Sequence, residues 1–287
     1  MNESLQGVVR FVGAGPGDPS LLTVRADSLL RSARVILHDD LVAPEILALA
    51  SSEAVVLNVG KRCGAKRITQ GEINSLLISA ARRGFDVVRL KSGDPAVFGR
   101  LAEELDALSA AGVAFEIVPG VSAGMAAASS LGFSLTDRRL SSRVVFASAH
   151  LAPGKDAAPG ENWRGLAGDS TTLVIYMPGH HLDRLQEELL AAGLAPDTPA
   201  VLVSRASTPA QREHYATLAT LASSPVVEAP SILLLGRAVA PRPLSPALDS
   251  APAAAQSDWE SFLDLLAPDV SFARVASLQL KERKTTR

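Results

Sequence analysis

Short apolar runs alternate with longer segments of helical periodicity along the first part of the chain. Each run is of strand length and rich in β-branched residues, which is typical of buried strands. The five predicted strands are Val8–Val12, Val35–Leu37, Ala54–Val59, Asp86–Leu90 and Phe115–Val118. The predicted helices between them are Thr23–Ser32, Gln70–Arg83, Arg100–Ala111 and Ser122–Leu131. This alternation predicts an α/β layer built on a mostly parallel sheet.

A second α/β series follows a polar, arginine-rich connector at Leu135–Ser142. The predicted elements of this series are the strands Arg143–Ser148, Thr171–Tyr176, Ala200–Val203 and Ile232–Leu235 and the helix His181–Ala192. A length of 287 residues is enough for about two domains that each bury a core. We therefore expect an N-terminal α/β domain over residues 7–136 and a C-terminal α/β domain over residues 140–240.

The composition changes once more at Ala240. Residues 241–255 are rich in Pro, Ala and Ser, which is typical of a linker. Beyond them, Asp258–Leu266 places Trp259, Phe262, Leu263 and Leu266 on one helical face. We expect residues 241–287 to form a linker and a short amphipathic helix outside both domains.

Charge and cysteine content argue against several classes of protein. The 28 basic and 30 acidic residues nearly cancel, which disfavours a nucleic-acid binder that depends on bulk positive charge. A single cysteine, Cys63, excludes an intrachain disulfide, and no Cys/His pair has metal-ligand spacing, so no metal site is expected. The segment Met1–Arg10 lacks the apolar stretch of a signal peptide, and no apolar run reaches the ~18–20 residues of a membrane span. The expected protein is soluble and cytoplasmic.

Arginine dominates the basic residues, with 22 arginines among the 28. A guanidinium group binds a carboxylate through paired hydrogen bonds, so this excess is compatible with a ligand that carries several carboxylates. Codon bias in a chain also rich in Ala, Gly and Pro accounts for most of it. Only arginines placed at a ligand site would carry functional meaning.

Two glycine-containing loops join a predicted strand to a predicted helix in the same way. In Gly13-Ala-Gly-Pro-Gly-Asp-Pro19, Asp18 stands where a dinucleotide-binding fingerprint needs its third glycine, and Pro16 lacks a backbone N–H. The second loop, Ser92-Gly-Asp-Pro95, provides close backbone approach at Gly93 and a carboxylate acceptor at Asp94. Both loops are predicted at the carboxyl ends of strands, where ligands bind in open α/β sheets.

A third loop, Gly120-Val-Ser122-Ala-Gly124, matches the G-x-S-x-G nucleophile elbow of α/β-hydrolases. Asp197 and His214 follow Ser122 in the chain order of a hydrolase triad. Pro119 interrupts the strand-to-elbow junction, however, and His214 lies in a charged segment without a turn to present it. A serine hydrolase remains an alternative from a different class of enzyme.

Taken together, these loops resemble the uroporphyrinogen-III C-methyltransferases of the tetrapyrrole methylase family. The resemblance runs in order from about Val8 to Val239. The other segments that carry it are Leu21–Thr23, Asp39–Val42, Gly60–Arg62, Gln70–Asn74, Ser92–Arg100, Pro119–Ala123, Thr172–Met177, Arg205–Arg212 and Pro230–Gly236.

The resemblance implies two α/β domains with S-adenosylmethionine bound in the cleft between them, and a homodimer. The implied cofactor contacts are Pro16, Ser92, Gly93, Asp94, Ser122, Ala123, Met177, Ala206 and Leu234. The implied reaction is two successive methylations of uroporphyrinogen III, at C2 and C7, that give precorrin-2 for sirohaem or cobalamin biosynthesis, with S-adenosylhomocysteine as the product of the cofactor. Asp39 is the expected catalytic residue, with Asp40 as a solvated neighbour. Lys61, Arg62, Arg138 and Arg212, together with Arg139, are expected to meet the substrate's carboxylates.

Several residues depart from the family's usual pattern, chiefly on the substrate side. Ser92 replaces a glycine and would be strained if its φ were positive. His38 stands in place of a common Tyr, Asp137 in place of His, and Pro178 in place of Gly, and the Lys66-Arg67 pair also differs. A sister methyltransferase acting on a later precorrin, or a catalytically weakened paralogue that only binds the cofactor, therefore stays open.

Overall fold

A parallel five-stranded sheet is formed by the first part of the chain, in a computed structural model that describes residues 6–60, 68–149, 163–166, 168–179, 181–225 and 227–239. The strand order is β3-β2-β4-β1-β5. The strands are β1 (Val9–Gly13), β2 (Val35–His38), β3 (Val55–Asn58), β4 (Val87–Lys91) and β5 (Phe115–Val118). All pairings are parallel, so the carboxyl ends of the strands meet at one edge.

Among the described residues, five α-helices connect or follow these strands. They are α1 (Val24–Ser32), α2 (Pro44–Leu47), α3 (Gln70–Arg82), α4 (Leu101–Ala110) and α5 (Ala123–Ser130). Local sequence sets several of their starts: the Thr23 hydroxyl caps α1 by accepting from the Ala26 N–H, and Pro44 opens α2. The predicted helices agree with the structure to within a residue at each end, and only the short α2 was not predicted.

The second sheet, in residues 143–235, is mixed. Its strands are β6 (Arg143–Ser148), β7 (Thr171–Tyr176), β8 (Pro199–Ser204), β9 (Arg212–Thr217) and β10 (Ser231–Leu235), in the order β6-β7-β10-β8-β9. Only β6 and β7 pair in parallel, because β10 is antiparallel to both of its neighbours and β9 forms a hairpin with β8. The helix α6 (Leu182–Ala191) follows β7. The expectation of a mostly parallel sheet therefore holds for the first sheet and not for the second.

Three edge strands depart from the predicted pattern of buried strands, and one of them is β5, in which Phe115 and Ile117 are exposed. β9 was not predicted because its sequence, Arg-Glu-His-Tyr-Ala-Thr, is polar and lies largely exposed at the edge of the second sheet. β3 was predicted as buried, but all four of its residues are exposed at the edge of the first sheet. Apolar composition alone does not distinguish an edge strand from a central one.

The two sheets share part of their core through α5. Ala127 and Phe133, from α5 and the loop that follows it, pack in one apolar cluster with Val174 and Leu234 of the second sheet. The described residues all belong to one compact unit that ends at Arg242. The division into domains at 7–136 and 140–240 stays a prediction, and the predicted linker and helix of 241–287 lie outside the described residues.

The N-terminus of α3 is closed by a reciprocal capping box. The Thr69 hydroxyl accepts from the Glu72 N–H at 3.2 Å, and the Glu72 carboxylate accepts from the Thr69 N–H at 2.5 Å. The latter hydrogen bond lowers the pKa of Glu72 below its usual value. Because the folded pKa is the lower one, the capping contribution is present at neutral pH and is lost as the pH falls through that value.

Thr69→Ala removes the hydroxyl half of this box and should lower the free energy of unfolding by about 1 kcal/mol. Chemical denaturation at pH 7 measures the loss. Ser79→Ala, an exposed position inside the same helix, is the control and should not destabilise the protein because alanine favours helix. Equal stability of Thr69→Ala and the wild type would contradict the assigned cap.

Candidate functional site

Three glycines from three loops touch at the carboxyl edge of the first sheet. Gly13 ends β1, Gly93 follows β4, and Gly120 follows β5. A Cβ on Gly13 would lie 2.5 Å from the Gly120 nitrogen and 2.8 Å from the Gly93 oxygen. A Cβ on Gly120 would lie 2.9 Å from Cα of Gly13 and closer still to the Gly93 oxygen. These contacts explain why positions 13 and 120 need a residue without a side chain, and the left-handed φ of 67° at Gly93 favours glycine there.

Hydrogen bonds hold these loops together. Gly15 and Gly93 exchange two backbone hydrogen bonds, of 3.1 and 2.8 Å. Asp94 accepts from the Gly120 N–H at 3.0 Å through one oxygen and from the Ala96 N–H at 2.8 Å through the other. The left-handed φ of this loop, 67°, falls at Gly93 and not at Ser92, so serine stands there without backbone strain. The departure at Ser92 therefore leaves the loop geometry intact.

The third loop is attached to the end of β7 in the second sheet. The Ser122 hydroxyl lies 2.5 Å from the Tyr176 hydroxyl, which also accepts from the Gly124 N–H at 3.2 Å. Ser122 is buried, and its hydrogen-bond partner in the described residues is Tyr176. This geometry fixes the third loop against the residue that precedes Met177.

The serine-hydrolase alternative has no geometric support in the described residues. His214 lies on β9, paired with Leu202 at the edge of the second sheet, and Asp197 precedes β8. A nucleophile elbow needs its serine within hydrogen-bond reach of the histidine base. Ser122 instead serves as a link between the two sheets.

The loops after β7 and β8 carry backbone in the left-handed region at residues other than glycine. Their φ angles are 53° at Met177, 49° at Arg205 and 64° at Ser207. Such conformations cost energy and are typical of functional sites. Met177 is 49% exposed, whereas Ala206 is buried. These loops therefore present strained backbone and an accessible Met side chain at one edge of the second sheet.

The edges of the two sheets meet at these loops. A Cβ on Gly17, in the loop after β1, would lie 2.7 Å from Cγ2 of Thr208, in the loop after β8. Together with the contact between Ser122 and Tyr176, this brings the predicted cofactor residues Pro16, Ser92, Gly93, Asp94, Ser122, Ala123, Met177 and Ala206 onto loops that surround one region. Backbone with little side-chain cover, beside an exposed thioether, fits a cofactor recognised through its backbone contacts.

Leu234 is the exception among the predicted cofactor residues. It lies in the middle of β10, paired with Val174 on one side and Val201 on the other, and its side chain is fully buried. Its backbone lies between two paired strands of the sheet, and its side chain packs in the core. Leu234 is thus a core residue in this fold, packed in one cluster with Tyr176 and Ala206, and its contact with the cofactor stays a prediction.

Asp39 follows β2 at the same edge of the first sheet and belongs to a cluster of four charged side chains. The Arg89 guanidinium donates from Nη2 to Oδ1 of Asp39, and Nζ of Lys91 lies 3.8 Å from Oδ2. Glu104 of α4 accepts from Nε of Arg89 at 2.9 Å and from Nζ of Lys91 at 2.6 Å. Asp39 alone of these four reaches solvent appreciably, with its side chain 29% exposed. We call these four residues the Asp39 cluster.

Asp39 was predicted from the sequence as a catalytic residue, whereas the other three members of the cluster were not predicted. Arg89 and Lys91 lie on β4, whose five residues are all buried. Burial and the nearby positive charge of Arg89 lower the pKa of Lys91, against the opposing influence of Asp39 and Glu104. The available signal was the pair of charges two residues apart inside a buried strand, because such charges need buried partners.

The predicted substrate-binding cations are only partly described. Lys61 and Arg62 lie outside the described residues, as does the Lys66-Arg67 pair. Arg138 is exposed in the connector between the sheets. Arg212 is exposed at the start of β9, opposite Ser204, at the edge of the second sheet that also carries Arg205.

Three further residues on the substrate side have partners of their own. Arg139 forms an ion pair with Asp137 at 2.7 Å, within a tight turn closed by Ser141. Asp40 is not simply solvated, because it is half-buried and accepts from the Asn58 amide at 3.2 Å. His38 is buried, with Nδ1 2.9 Å from the Asp39 carbonyl oxygen.

Comparison with known proteins identifies the family. The profile described as Tetrapyrrole (Corrin/Porphyrin) Methylases matches residues 8–222. The chain belongs to this family. The sequence-based expectations of an α/β protein with this fold, and of membership in the family, are thereby confirmed.

Two named relatives show which members of the family the chain resembles. A uroporphyrinogen-III C-methyltransferase from Synechocystis is 40% identical over 242 residues, which cover 83% of this chain and 92% of the relative. A siroheme synthase from Nitrosococcus oceani is 42% identical over 238 residues, which cover 82% of this chain but only 50% of the relative. The chain therefore spans about half the length of this relative.

A solved structure from Thermus thermophilus, a uroporphyrin-III C-methyl transferase complexed with S-adenyl homocysteine, superposes with a TM-score of 0.70 at 39% identity. The match covers 81% of this chain and 99% of that one. In the described part of this chain, no helix has the length and apolar character needed to cross a bilayer. The same residues hold no group of three or more His, Cys, Asp or Glu side chains placed to bind a metal ion.

Proposed function

We propose that this protein is an S-adenosylmethionine-dependent uroporphyrinogen-III C-methyltransferase that makes precorrin-2 by two successive methylations, at C2 and C7. The observation that carries the proposal is the meeting of Gly13, Gly93 and Gly120 at one sheet edge, beside Asp39. Membership in the tetrapyrrole methylase family and the complex formed by the Thermus relative support the same reaction. The product of the cofactor would be S-adenosylhomocysteine.

The loops around this region would hold the cofactor mainly through their backbone. Pro16 and the Ser92–Asp94 loop border it from the first sheet, and Met177 and Ala206 border it from the second. Asp94 would support this binding indirectly, because its carboxylate accepts from the Gly120 N–H and so connects the loop after β4 to the loop after β5. Ser122 and Ala123 complete the set through the link to Tyr176.

When bound, S-adenosylmethionine supplies an electrophilic methyl group on a sulfonium sulfur. The protein must then align the methyl group with a pyrrole carbon of the substrate and remove a proton after the new C–C bond forms. Asp39 is the group we assign to this work, because it is a partly exposed carboxylate at the edge where the three loops meet. Its fixed position against Arg89 orients the carboxylate.

Cations at the rim would meet the carboxylates of uroporphyrinogen III. We assign Lys61, Arg62, Arg138 and Arg212 to this role, of which Arg138 and Arg212 are exposed in the structure. Arg139 is the weaker candidate because Asp137 already binds it. We further propose that the protein acts as a cytoplasmic homodimer, with no membrane or nucleic-acid partner, in the route to sirohaem or cobalamin.

Incubation with uroporphyrinogen III and S-adenosylmethionine tests the function. The expected result is the precorrin-2 chromophore together with two equivalents of S-adenosylhomocysteine per tetrapyrrole. Omission of S-adenosylmethionine is the control. Binding of S-adenosylhomocysteine without turnover would favour a cofactor-binding paralogue, and turnover of a later precorrin instead would favour the sister methyltransferase; both outcomes would overturn the proposal.

A further inference from the structure

Glu104 is the innermost member of the Asp39 cluster. Its side chain is fully buried, and each of its oxygens takes a different cation: Oε1 accepts from Arg89 and Oε2 from Lys91. The two cations extend from Glu104 towards the sheet edge and face the two oxygens of Asp39. The cluster therefore forms a charged path from a buried carboxylate to a partly exposed one.

The Arg89 guanidinium is fixed on all sides. Nε is held by Glu104, Nη2 by Asp39, and Nη1 lies 3.5 Å from the Leu37 carbonyl oxygen and 3.4 Å from that of Leu90. The guanidinium is planar and rigid, so a group fixed at Nε also fixes the direction in which Nη2 points. The position of the Asp39 carboxylate thus depends on where Glu104 holds Arg89.

Stability alone is a weak reason for such a cluster. Buried ion pairs lose much of their Coulombic energy to desolvation, and apolar replacements of similar volume are often neutral or stabilising. Arg89 and Lys91 lie on the buried strand β4, where apolar side chains would pack. The charges hold a carboxylate in a fixed position at the edge where the loops meet, and apolar residues could not do this.

We propose that Glu104 is a positioning residue for Asp39, acting through Arg89 and Lys91. The proposal rests on the proposed function, which gives Asp39 its work on the substrate. Without the charge of Glu104, both cations lose their buried counter-ion and turn towards Asp39, which draws the carboxylate inward. Displacement of a catalytic group by about 1 Å costs on the order of 100-fold in rate.

Three variants test the proposal. Glu104→Gln keeps the shape of the side chain and removes its charge. The double variant Lys91→Met/Glu104→Gln removes one charge of each sign, so the cluster stays balanced and the fold is retained if the single variant fails to fold. Glu188→Gln is the matched control, because Glu188 on α6 also accepts from one donor per oxygen, at 2.8 Å from Arg184 and 3.0 Å from Trp163.

For Glu104→Gln and the double variant, kcat for uroporphyrinogen III should fall about 100-fold. The KM for the substrate and the Kd for S-adenosylhomocysteine should stay within about twofold, because the cofactor loops are untouched. Glu188→Gln should keep the wild-type kcat. A merely structural role would lower the thermal midpoint of the Glu104 variants and leave kcat of the folded fraction unchanged, and that result would overturn the proposal.

Crystal structures of the wild type and Glu104→Gln separate this proposal from the function itself. If the wild type does not methylate uroporphyrinogen III, the proposed function fails. The position of the Asp39 carboxylate in the two crystal structures still shows whether Glu104 positions it. A shift of about 1 Å in Glu104→Gln supports positioning. An unmoved Asp39 carboxylate overturns it.

Discussion

Gly120→Ala is expected to weaken the binding of S-adenosylhomocysteine by a factor on the order of 100. The new Cβ would lie 2.9 Å from Cα of Gly13 and closer to the Gly93 oxygen, and both of these are backbone atoms in short, hydrogen-bonded loops. Backbone cannot rotate away as a side chain can, so the loops after β1, β4 and β5 must separate. A displacement of about 1 Å in such loops is enough for a loss on the order of 100-fold.

Titration calorimetry with S-adenosylhomocysteine measures the effect, and circular dichroism establishes that the variant is folded. Gly71→Ala is the control, because among the described residues a Cβ there meets only the Thr69 hydroxyl, at 3.9 Å, at the exposed start of α3. It should bind the ligand like the wild type. A folded Gly120→Ala protein with wild-type affinity would remove the three-glycine contact from the cofactor site.

Asp39→Ala is expected to lower kcat on uroporphyrinogen III by about 10²- to 10⁴-fold, the range that a positioned acid or base contributes. The Kd for S-adenosylhomocysteine should stay near the wild-type value, because the glycine loops do not depend on Asp39. Loss of the carboxylate also leaves Arg89 and Lys91 with Glu104 as their shared counter-ion. We therefore expect a lower thermal midpoint as well as slower turnover.

Steady-state kinetics with both substrates, beside calorimetry, separates these effects. Asp86→Asn is the matched control: Asp86 also binds an arginine, with Nη1 of Arg10 at 2.8 Å, but it precedes β4 at the opposite end of the strand. Its hydrogen bonds lower its pKa, so its loss affects stability at neutral pH and should leave kcat unchanged. Wild-type turnover by folded Asp39→Ala would exclude Asp39 from the mechanism.

The elements of the first sheet could be predicted closely because their sequence and environment agree. Its central strands are mostly apolar and buried, and two of its helices begin at residues with clear capping chemistry, Thr23 and Thr69. The second sheet was harder for a physical reason. Strand direction depends on connections, and β9 is a polar edge strand whose sequence lacks the pattern of a buried strand.

The candidate site, too, has parts that could be predicted from the sequence and parts that could not. Loops with Gly and Pro at fixed positions can be recognised in the sequence, because their backbone conformation requires those residues. The Asp39 cluster could not be found in this way, since Glu104 meets Arg89 and Lys91 only after α4 has packed on β4. The position of Leu234 inside the second sheet could not be predicted either, because strand register is a property of the folded pairing.

The close approach of α5 to β7 restricts how this protein can change over evolutionary time. A Cβ on Gly124 would lie 2.9 Å from the Tyr176 hydroxyl and closer to the Val174 side chain. Any larger residue at position 124 therefore requires a smaller one at position 174 or 176, and loss of the Tyr176 hydroxyl releases Ser122. Positions 122, 124, 174 and 176 are thus expected to vary together, as one inherited unit, and not one at a time.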